Sequence, residues 1–381
     1  EVIVSILANR PYILILYTKK TKIYTYFFSI HPSNPFFCPI GLQTGVRWVY
    51  HIFMTQSIYQ YVRSIASKKL AFIDVDGTLT ANPGDTNEKD LLDKDLTNQA
   101  IADLQKKGFT CMLNTSRTAE MCMSEAQYVL SKKNFGFSRP QPHMGIDKNK
   151  KHFYVKPEDY FPKKILDLPI IISSSGACIN VLQENGGYAA DEGFYLNDFP
   201  DPRIWRKNIT SYLSGLNILF SYGHIEKEVT YQENETEIFP ADYRIQLIFT
   251  SYKNILLLSK SIKEKGNLYF TNDSNPKKNL FMGYITPKRG KVDAVNHVIS
   301  SLQRPLAEIL IIGDSPPDLE VGLKMRTPPG AKITCLIVGG SSLRNTIKIN
   351  VKRKIIMGDI AFPQAIGPKS IVEFIKSNRY N

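Results

Sequence analysis

The chain has 381 residues, 43% of them hydrophobic, and a formal net charge of +13 at pH 7. That length and apolar content can fill a core domain with a second domain attached, and they exclude a chain disordered throughout. The charge attracts anions and suits a phosphorylated substrate; the basic clusters Lys277-Lys278 and Lys352-Arg353-Lys354 are scattered, with no recognition-helix, zinc-finger or RNA-binding motif, which argues against a nucleic-acid partner.

Residues 1–53 stand apart from the rest. Between Val2 and Phe53 there is no Asp or Glu, and aromatic residues are dense. Apolar runs such as Tyr12-Ile13-Leu14-Ile15-Leu16-Tyr17 are cut by Lys19-Lys20-Thr21-Lys22 before they reach membrane-spanning length, so no membrane partner is expected. The first methionine is Met54, and Met54 to Tyr59 begins a short helix. The functional protein is therefore expected to start there, with residues 1–53 non-native or dispensable. Organelle targeting is the second reading, because transit peptides also lack acidic residues, although not with this density of Tyr and Phe.

The apolar run Leu70-Ala71-Phe72-Ile73 reads as a buried strand that ends in Asp74-Val75-Asp76-Gly77-Thr78. Strand alternation sends the two carboxylates to the same side, and Gly77 permits a sharp exit above the sheet edge. One carboxylate can then attack a phosphorus centre while the other serves the leaving group. A helix over Thr97 to Lys107, with Ala100, Ile101 and Leu104 on one face, turns at Gly108 into a second strand ending in Asn114-Thr115-Ser116-Arg117. The hydroxyls there can hold a phosphoryl oxygen without adding charge; a Thr-Ser at a strand end is otherwise a common helix cap. The stretch Ser131 to Lys164 is long for a connection, and its Lys148-Asn149-Lys150-Lys151 tract reads as an exposed loop.

A third strand, Pro169-Ile170-Ile171-Ile172, runs into the turn Ser173-Ser174-Ser175-Gly176-Ala177. Roughly one hundred residues follow before the next chemical element, enough for an inserted domain; within them Tyr243 to Phe249 is strand-like and Asn254 to Lys265 is helical in pattern. Lys291 then opens a helix with the apolar stripe Val292, Val295, Ile299 and Leu302. A cation in a first helical turn opposes the helix dipole, so helix stability does not explain it; an ordinary solvated lysine is the alternative. Last, Ile309-Leu310-Ile311-Ile312-Gly313 leads to Asp314 and Asp318, four apart across a turn, which can converge on a hard cation such as Mg2+.

Together these four elements resemble the haloacid dehalogenase superfamily of phosphohydrolases, whose signature is an Asp-x-Asp-Gly-Thr strand end, a strand ending in Thr or Ser, a lysine, and a Gly-Asp-x-x-x-Asp turn. The resemblance covers most of Lys68 to Met325. It implies Asp74 as nucleophile and Mg2+ ligand, and Asp76 as general acid/base and metal ligand through its backbone carbonyl. It implies Thr115 as phosphoryl binder, Lys291 as the cation that neutralises the phosphoryl group and holds the nucleophile, Asp314 as a direct metal ligand, and Asp318 as support from nearby. The insert between the second and third elements resembles the class IIB cap of Cof-type and sucrose-phosphate phosphatases, where the cap selects the substrate. The chain departs from the Cof-type pattern in having Thr115-Ser116-Arg117 for Thr-Gly-Arg, Ser175-Gly176-Ala177 for Asn-Gly-Ala, and Pro317-Asp318 for Asn-Asp.

The expected fold is α/β: a doubly wound, Rossmann-like parallel-sheet core over 54–176 and 284–381, with an inserted α/β cap at 177–283. The expected activity is Mg2+-dependent hydrolysis of a phosphate monoester, a sugar phosphate or similar small metabolite, through an aspartyl-phosphate. Asp-Val-Asp-Gly-Thr-Leu-Thr also occurs in phosphomannomutase-like phosphotransferases, which are the nearest alternative; a catalytically silent binding protein on the same fold is another. Five cysteines without paired spacing fit a reducing compartment, expected to be the cytoplasm, and the six histidines form no metal-ligand pattern. Oligomeric state and the substrate's identity are not legible.

Overall fold

The computed structural model describes residues 3–9, 12–19, 22–29, 58–80, 94–119, 122–124, 126, 127, 130, 131, 143–146, 152–155, 163–195, 202–222, 243–272, 281–338, 354–357 and 367–377. The Lys148–Lys151 tract, Lys277-Lys278 and Lys352-Arg353 lie outside these residues. The chain divides into two units, 1–52 and 53–381. In the first, β1 (Ile3–Asn9), β2 (Tyr12–Lys19) and β3 (Lys22–Ser29) form an antiparallel sheet with β2 central. The apolar run Tyr12–Tyr17 is thus a strand. Among the described residues no helix is long and apolar enough to cross a membrane.

The second unit begins with α1 (Gln60–Ile65), then β4 (Lys69–Ile73), α2 (Lys94–Lys106), β5 (Phe109–Asn114), the hairpin strands β6 (His143–Ile146) and β7 (His152–Val155), and α3 (Lys163–Leu166). Three strands follow, β8 (Ile170–Ser173), β9 (Cys178–Leu182) and β10 (Tyr188–Ala190), and then α4 (Glu192–Tyr195) and α5 (Pro202–Ser214). Next come β11 (Phe220–Tyr222), β12 (Ile245–Phe249), α6 (Tyr252–Lys265), β13 (Leu268–Asn272) and β14 (Phe281–Pro287). The chain closes with α7 (Lys291–Leu302), β15 (Glu308–Gly313), α8 (Pro316–Lys324), β16 (Lys332–Ile337), β17 (Lys354–Met357) and α9 (Pro368–Lys376).

Eight strands form the large sheet in the order β10-β9-β8-β5-β4-β15-β16-β17. From β8 to β17 all neighbours are parallel, a pairing that needs crossover connections rather than hairpins. Both faces are covered. Ala100, Ile101 and Leu104 of α2 and Ile371 and Phe374 of α9 pack on one face, and Val62 of α1, Val295 and Val298 of α7 and Val321 of α8 on the other. With both faces buried, β4, β8 and β15 read as continuous apolar runs. The doubly wound α/β expectation is met. The chain winds outward from β4 in both directions, through β5 and β8 on one side and β15, β16 and β17 on the other, so the carboxyl ends of β4 and β15 flank a topological switch point.

The second sheet, β11-β12-β14-β13, is antiparallel. Ile245, Leu247 and Ile285 on one of its faces pack with Trp205 and Ile209 of α5 and Leu258 and Ile262 of α6. The expected domain boundaries at 177 and 283 do not coincide with the division between sheets. The hairpin β9–β10 pairs antiparallel onto β8 in the large sheet, and β14 belongs to the small one through Pro287. The apolar run Cys178–Leu182 is fully buried and looks alike in either setting, which is why alternation could not assign it.

Candidate active site

Asp74 leaves β4 under restraint from its neighbour strand, its backbone N–H donating to the Ile312 carbonyl at 2.9 Å. The loop behind it is tight: the Val75 carbonyl accepts from the N–H groups of Thr78, Leu79 and Thr80 at 3.2, 2.8 and 2.9 Å. Gly77 holds φ +77°, a left-handed conformation that costs an L side chain about 1–2 kcal/mol. This turn keeps the Asp74 carboxylate at the sheet edge, 6% exposed.

Lys291 closes the site from the far side. Its residue is only 5% exposed, and its Nζ donates to Asp74 Oδ1 at 2.8 Å and to Asp318 Oδ1 at 2.7 Å. The solvated-lysine alternative is excluded. The buried face of α7 runs through Lys291, Ala294, Val295, Val298 and Leu302, so the lysine lies on the stripe facing the sheet, with Val292 and Ile299 on its flank. Asp318 is fixed from its other oxygen, whose partners are the Ser315 backbone N–H at 3.3 Å and the Ser315 hydroxyl at 2.5 Å. That pairing is an N-terminal cap: Ser315 precedes α8, Pro316 opens it without needing a hydrogen-bond partner, and Asp318 reaches back. Gly313 is required by close approach, since a Cβ there would run into the Cβ, Cγ and Oδ2 of Asp318.

The carboxylates of Asp74, Asp314 and Asp318 bring ligand oxygens within 4.8 Å of one another. Burial, opposed by Lys291 and reinforced by Asp318 and Asp314, raises the Asp74 pKa well above the ordinary carboxylate range. Burial alone would lower that of Lys291, but Asp318 and Asp74 outweigh it and hold the ammonium above the usual lysine range. The three carboxylates form an all-oxygen donor set of the kind a hard divalent cation takes.

Asp76 is placed differently from Asp74. Its side chain is 36% exposed, lies outside that three-carboxylate group, and is gripped by Arg117, with Nη2 to Oδ1 at 2.6 Å and Nε to Oδ2 at 3.0 Å. In the sequence Arg117 stands out only as part of Thr115-Ser116-Arg117; a cation two residues past the strand end that carries Thr115 is the signal for it. Thr115 is fully buried, receives the Arg117 N–H on its Oγ1 at 3.1 Å, and donates its own N–H to Ile172 at 2.8 Å. The serine turn after β8 leans on this strand end: Ser175 donates its N–H to the Thr115 carbonyl at 3.1 Å, and Ser174 to that of Arg117 at 2.7 Å. Gly176, at φ +91°, lies against Gly290 and the Lys291 backbone nitrogen. One turn thus touches both the threonine and the lysine elements.

Residues 71–321, two thirds of the chain, match the family of haloacid dehalogenase-like hydrolases. The chain belongs to this family. No curated relative matches its sequence. Among solved structures, the chain is similar to a sucrose-phosphatase from Synechocystis sp. PCC6803 in complex with sucrose and phosphate, at 12% identity, TM-score 0.46, covering 82% of this chain and 98% of that one. It is also similar to a haloacid dehalogenase-like hydrolase from Bacillus subtilis, at 14% identity, TM-score 0.43, covering 82% and 92%, and to a trehalose-6-phosphate phosphatase from Aspergillus fumigatus, at 13% identity, TM-score 0.39, covering 86% and 98%. In this haloacid dehalogenase-like hydrolase, then, Asp74, Lys291, Asp314 and Asp318 meet at the switch point, Thr115 stands on the neighbouring strand, and Asp76 is held at the rim by Arg117.

Proposed function

We propose that the chain is a Mg2+-dependent phosphatase that hydrolyses the phosphate monoester of a small metabolite, a sugar phosphate in the first instance, through an aspartyl-phosphate on Asp74. The observation that carries this reading is the buried Lys291 ammonium set between Asp74 and Asp318 at the carboxyl ends of parallel strands. A charge so placed orients the nucleophile and meets the oxygens of an arriving phosphoryl group.

Asp74 and Asp314, with the Asp76 carbonyl and with Asp318 behind them, would hold Mg2+, which when bound offsets charge on the transferring group. The Asp74 oxygen attacks phosphorus and the ester P–O bond breaks, while Asp76 gives its proton to the departing oxygen. Water then attacks the aspartyl-phosphate and loses a proton to Asp76, which frees inorganic phosphate, restores the Asp74 carboxylate and returns Asp76 to its protonated form. Thr115 holds a phosphoryl oxygen, and Arg117 positions Asp76. The small sheet with α5 and α6 acts as a class IIB-like cap that selects the substrate. Cys111, Cys122, Cys178 and Cys335 are unbridged and buried, which favours a reducing compartment such as the cytoplasm.

The test is a panel of phosphorylated sugars, nucleotides and cofactors with released phosphate as readout. Phosphate should accumulate in step with substrate loss, require Mg2+, and cease on chelation. Isomerised sugar phosphate without free phosphate would replace this reading with a phosphotransferase. Binding with neither product would replace it with a silent binding protein.

A further inference from the structure

Asn114 ends β5 one residue before Thr115 and has no role in the phosphoryl-transfer steps above. In the parallel pairing of β4 with β5, Phe72 stands beside Met112 and Ile73 beside Leu113, so the next residues along, Asp74 and Asn114, are neighbours. Phe72 and Met112 belong to one core layer, and alternation turns Asp74 and Asn114, each two residues further on, to that same face. It is the face on which α7 packs and from which Lys291 reaches Asp74. The nucleophile therefore has a carboxamide as its strand neighbour.

Asn114 is 1% exposed, and its Oδ1 has no hydrogen-bond partner. A buried acceptor left unpaired destabilises a fold, and native interiors hold few of them. Lys291 shows the complementary deficit: an ammonium has three N–H bonds, of which Asp74 and Asp318 accept two. The third does not go to Asn114, whose oxygen is unpartnered. An ammonium and a carboxamide that both adjoin Asp74 thus stay apart, and the group that arrives beside them in the reaction is the one that becomes bonded to Asp74. One non-bridging phosphoryl oxygen takes the Lys291 N–H. Another takes the Asn114 Nδ2–H after a half-turn of the carboxamide, which breaks no bond at Oδ1.

We infer that Asn114 is a further catalytic residue, donating from Nδ2 to a non-bridging oxygen of the phosphoryl group in transfer. This rests on the phosphatase reading above and deepens it at the same site. The full chain and its Asn114→Leu and Asn114→Ser variants are melted with Mg2+ over a range of inorganic phosphate concentrations, and assayed on p-nitrophenyl phosphate. Leucine matches the carboxamide in shape without its polar atoms. Without phosphate, Asn114→Leu should melt above the parent, because no buried acceptor is left unpaired. It should bind phosphate about tenfold to a hundredfold more weakly and lose kcat/KM by a similar factor. Asn114→Ser, with a shorter donor, should fall between the two. A buried water resting on Oδ1 would leave the phosphate affinity of Asn114→Leu within about threefold of the parent, and that result overturns the inference. So does a melting temperature of Asn114→Leu below the parent's, which would mark a structural amide. If Asn114→Leu does not melt cooperatively, Asn114→Ser decides, and an affinity for phosphate equal to the parent's overturns the inference. A parent that binds phosphate but releases none from any ester is the separate failure of the phosphatase reading.

Discussion

Gly176 offers a test of whether the serine turn sets the position of the lysine. A Cβ at this residue would stand 2.6 Å from the Gly290 carbonyl oxygen and closer still to the Gly290 carbonyl carbon and the Lys291 nitrogen, where ordinary contact begins at 3.4 Å. All three are backbone atoms that cannot rotate away. In Gly176→Ala the first turn of α7 must shift by about 0.8 Å or more, and a misplacement near 1 Å in a catalytic constellation costs on the order of a hundredfold in rate. The bonds at stake are those from Lys291 to Asp74 and Asp318, 2.8 and 2.7 Å. The substitution also forces Ala into φ +91°, worth about 1–2 kcal/mol of stability. Gly108→Ala isolates that second effect, because Gly108 has φ +83° but nothing within 4 Å of an added Cβ. Phosphate release from p-nitrophenyl phosphate and thermal melting should be measured on both variants. Both should lose several degrees of melting temperature, and only Gly176→Ala should lose activity, about a hundredfold. A Gly176→Ala enzyme within threefold of the parent would refute the reasoning.

Asp74→Asn should stop turnover while the fold melts cooperatively as before, since an amide is a poor nucleophile; turnover within tenfold of the parent would sink the aspartyl-phosphate route. Gly313→Ala should displace Asp318 and with it one of the two anchors of Lys291, lowering kcat more than Gly108→Ala does; an unchanged kcat would mean that Asp318 relaxes freely. Mg2+ should raise the melting temperature saturably, and Asp314→Asn should blunt that rise, because the acidic group formed by Asp74, Asp314 and Asp318 gains a counterion. Lys291 has its pKa raised by Asp318 and Asp74, so the stability of this pairing is fully present below the unfolded lysine value near 10.4 and is lost as pH rises beyond it. Melting of the parent relative to Lys291→Met should therefore show a constant gap from pH 7 to 9 that narrows only in stronger alkali.

The strand ends were legible because their physics is local. A continuous apolar run stopped by Asp and Gly has few other meanings, so Asp74, Thr115 and Asp314 could be set at the carboxyl ends of parallel strands from sequence alone. Long-range contact is what local pattern cannot carry. The apolar spacing of α7 placed Lys291 in the first turn, yet did not tell that its ammonium would be buried between two carboxylates 217 and 27 residues away in sequence. Asp76 shows the same limit from the other side: alternation put it with Asp74, but Arg117, 41 residues on, draws its side chain to the rim. The serine turn is the strongest case. Ser174 and Ser175 sit at φ 50° and 59°, and nothing in three consecutive serines announces consecutive left-handed residues. Such strain persists only where the surroundings over-determine it, and here the Thr115 and Arg117 carbonyls, the Tyr284 hydroxyl and the Lys291 backbone all meet one turn. The departure from Asn-Gly-Ala to Ser175-Gly176-Ala177 keeps the glycine that this crowding demands, and it gives Ser175 the hydroxyl through which the second sheet reaches the site.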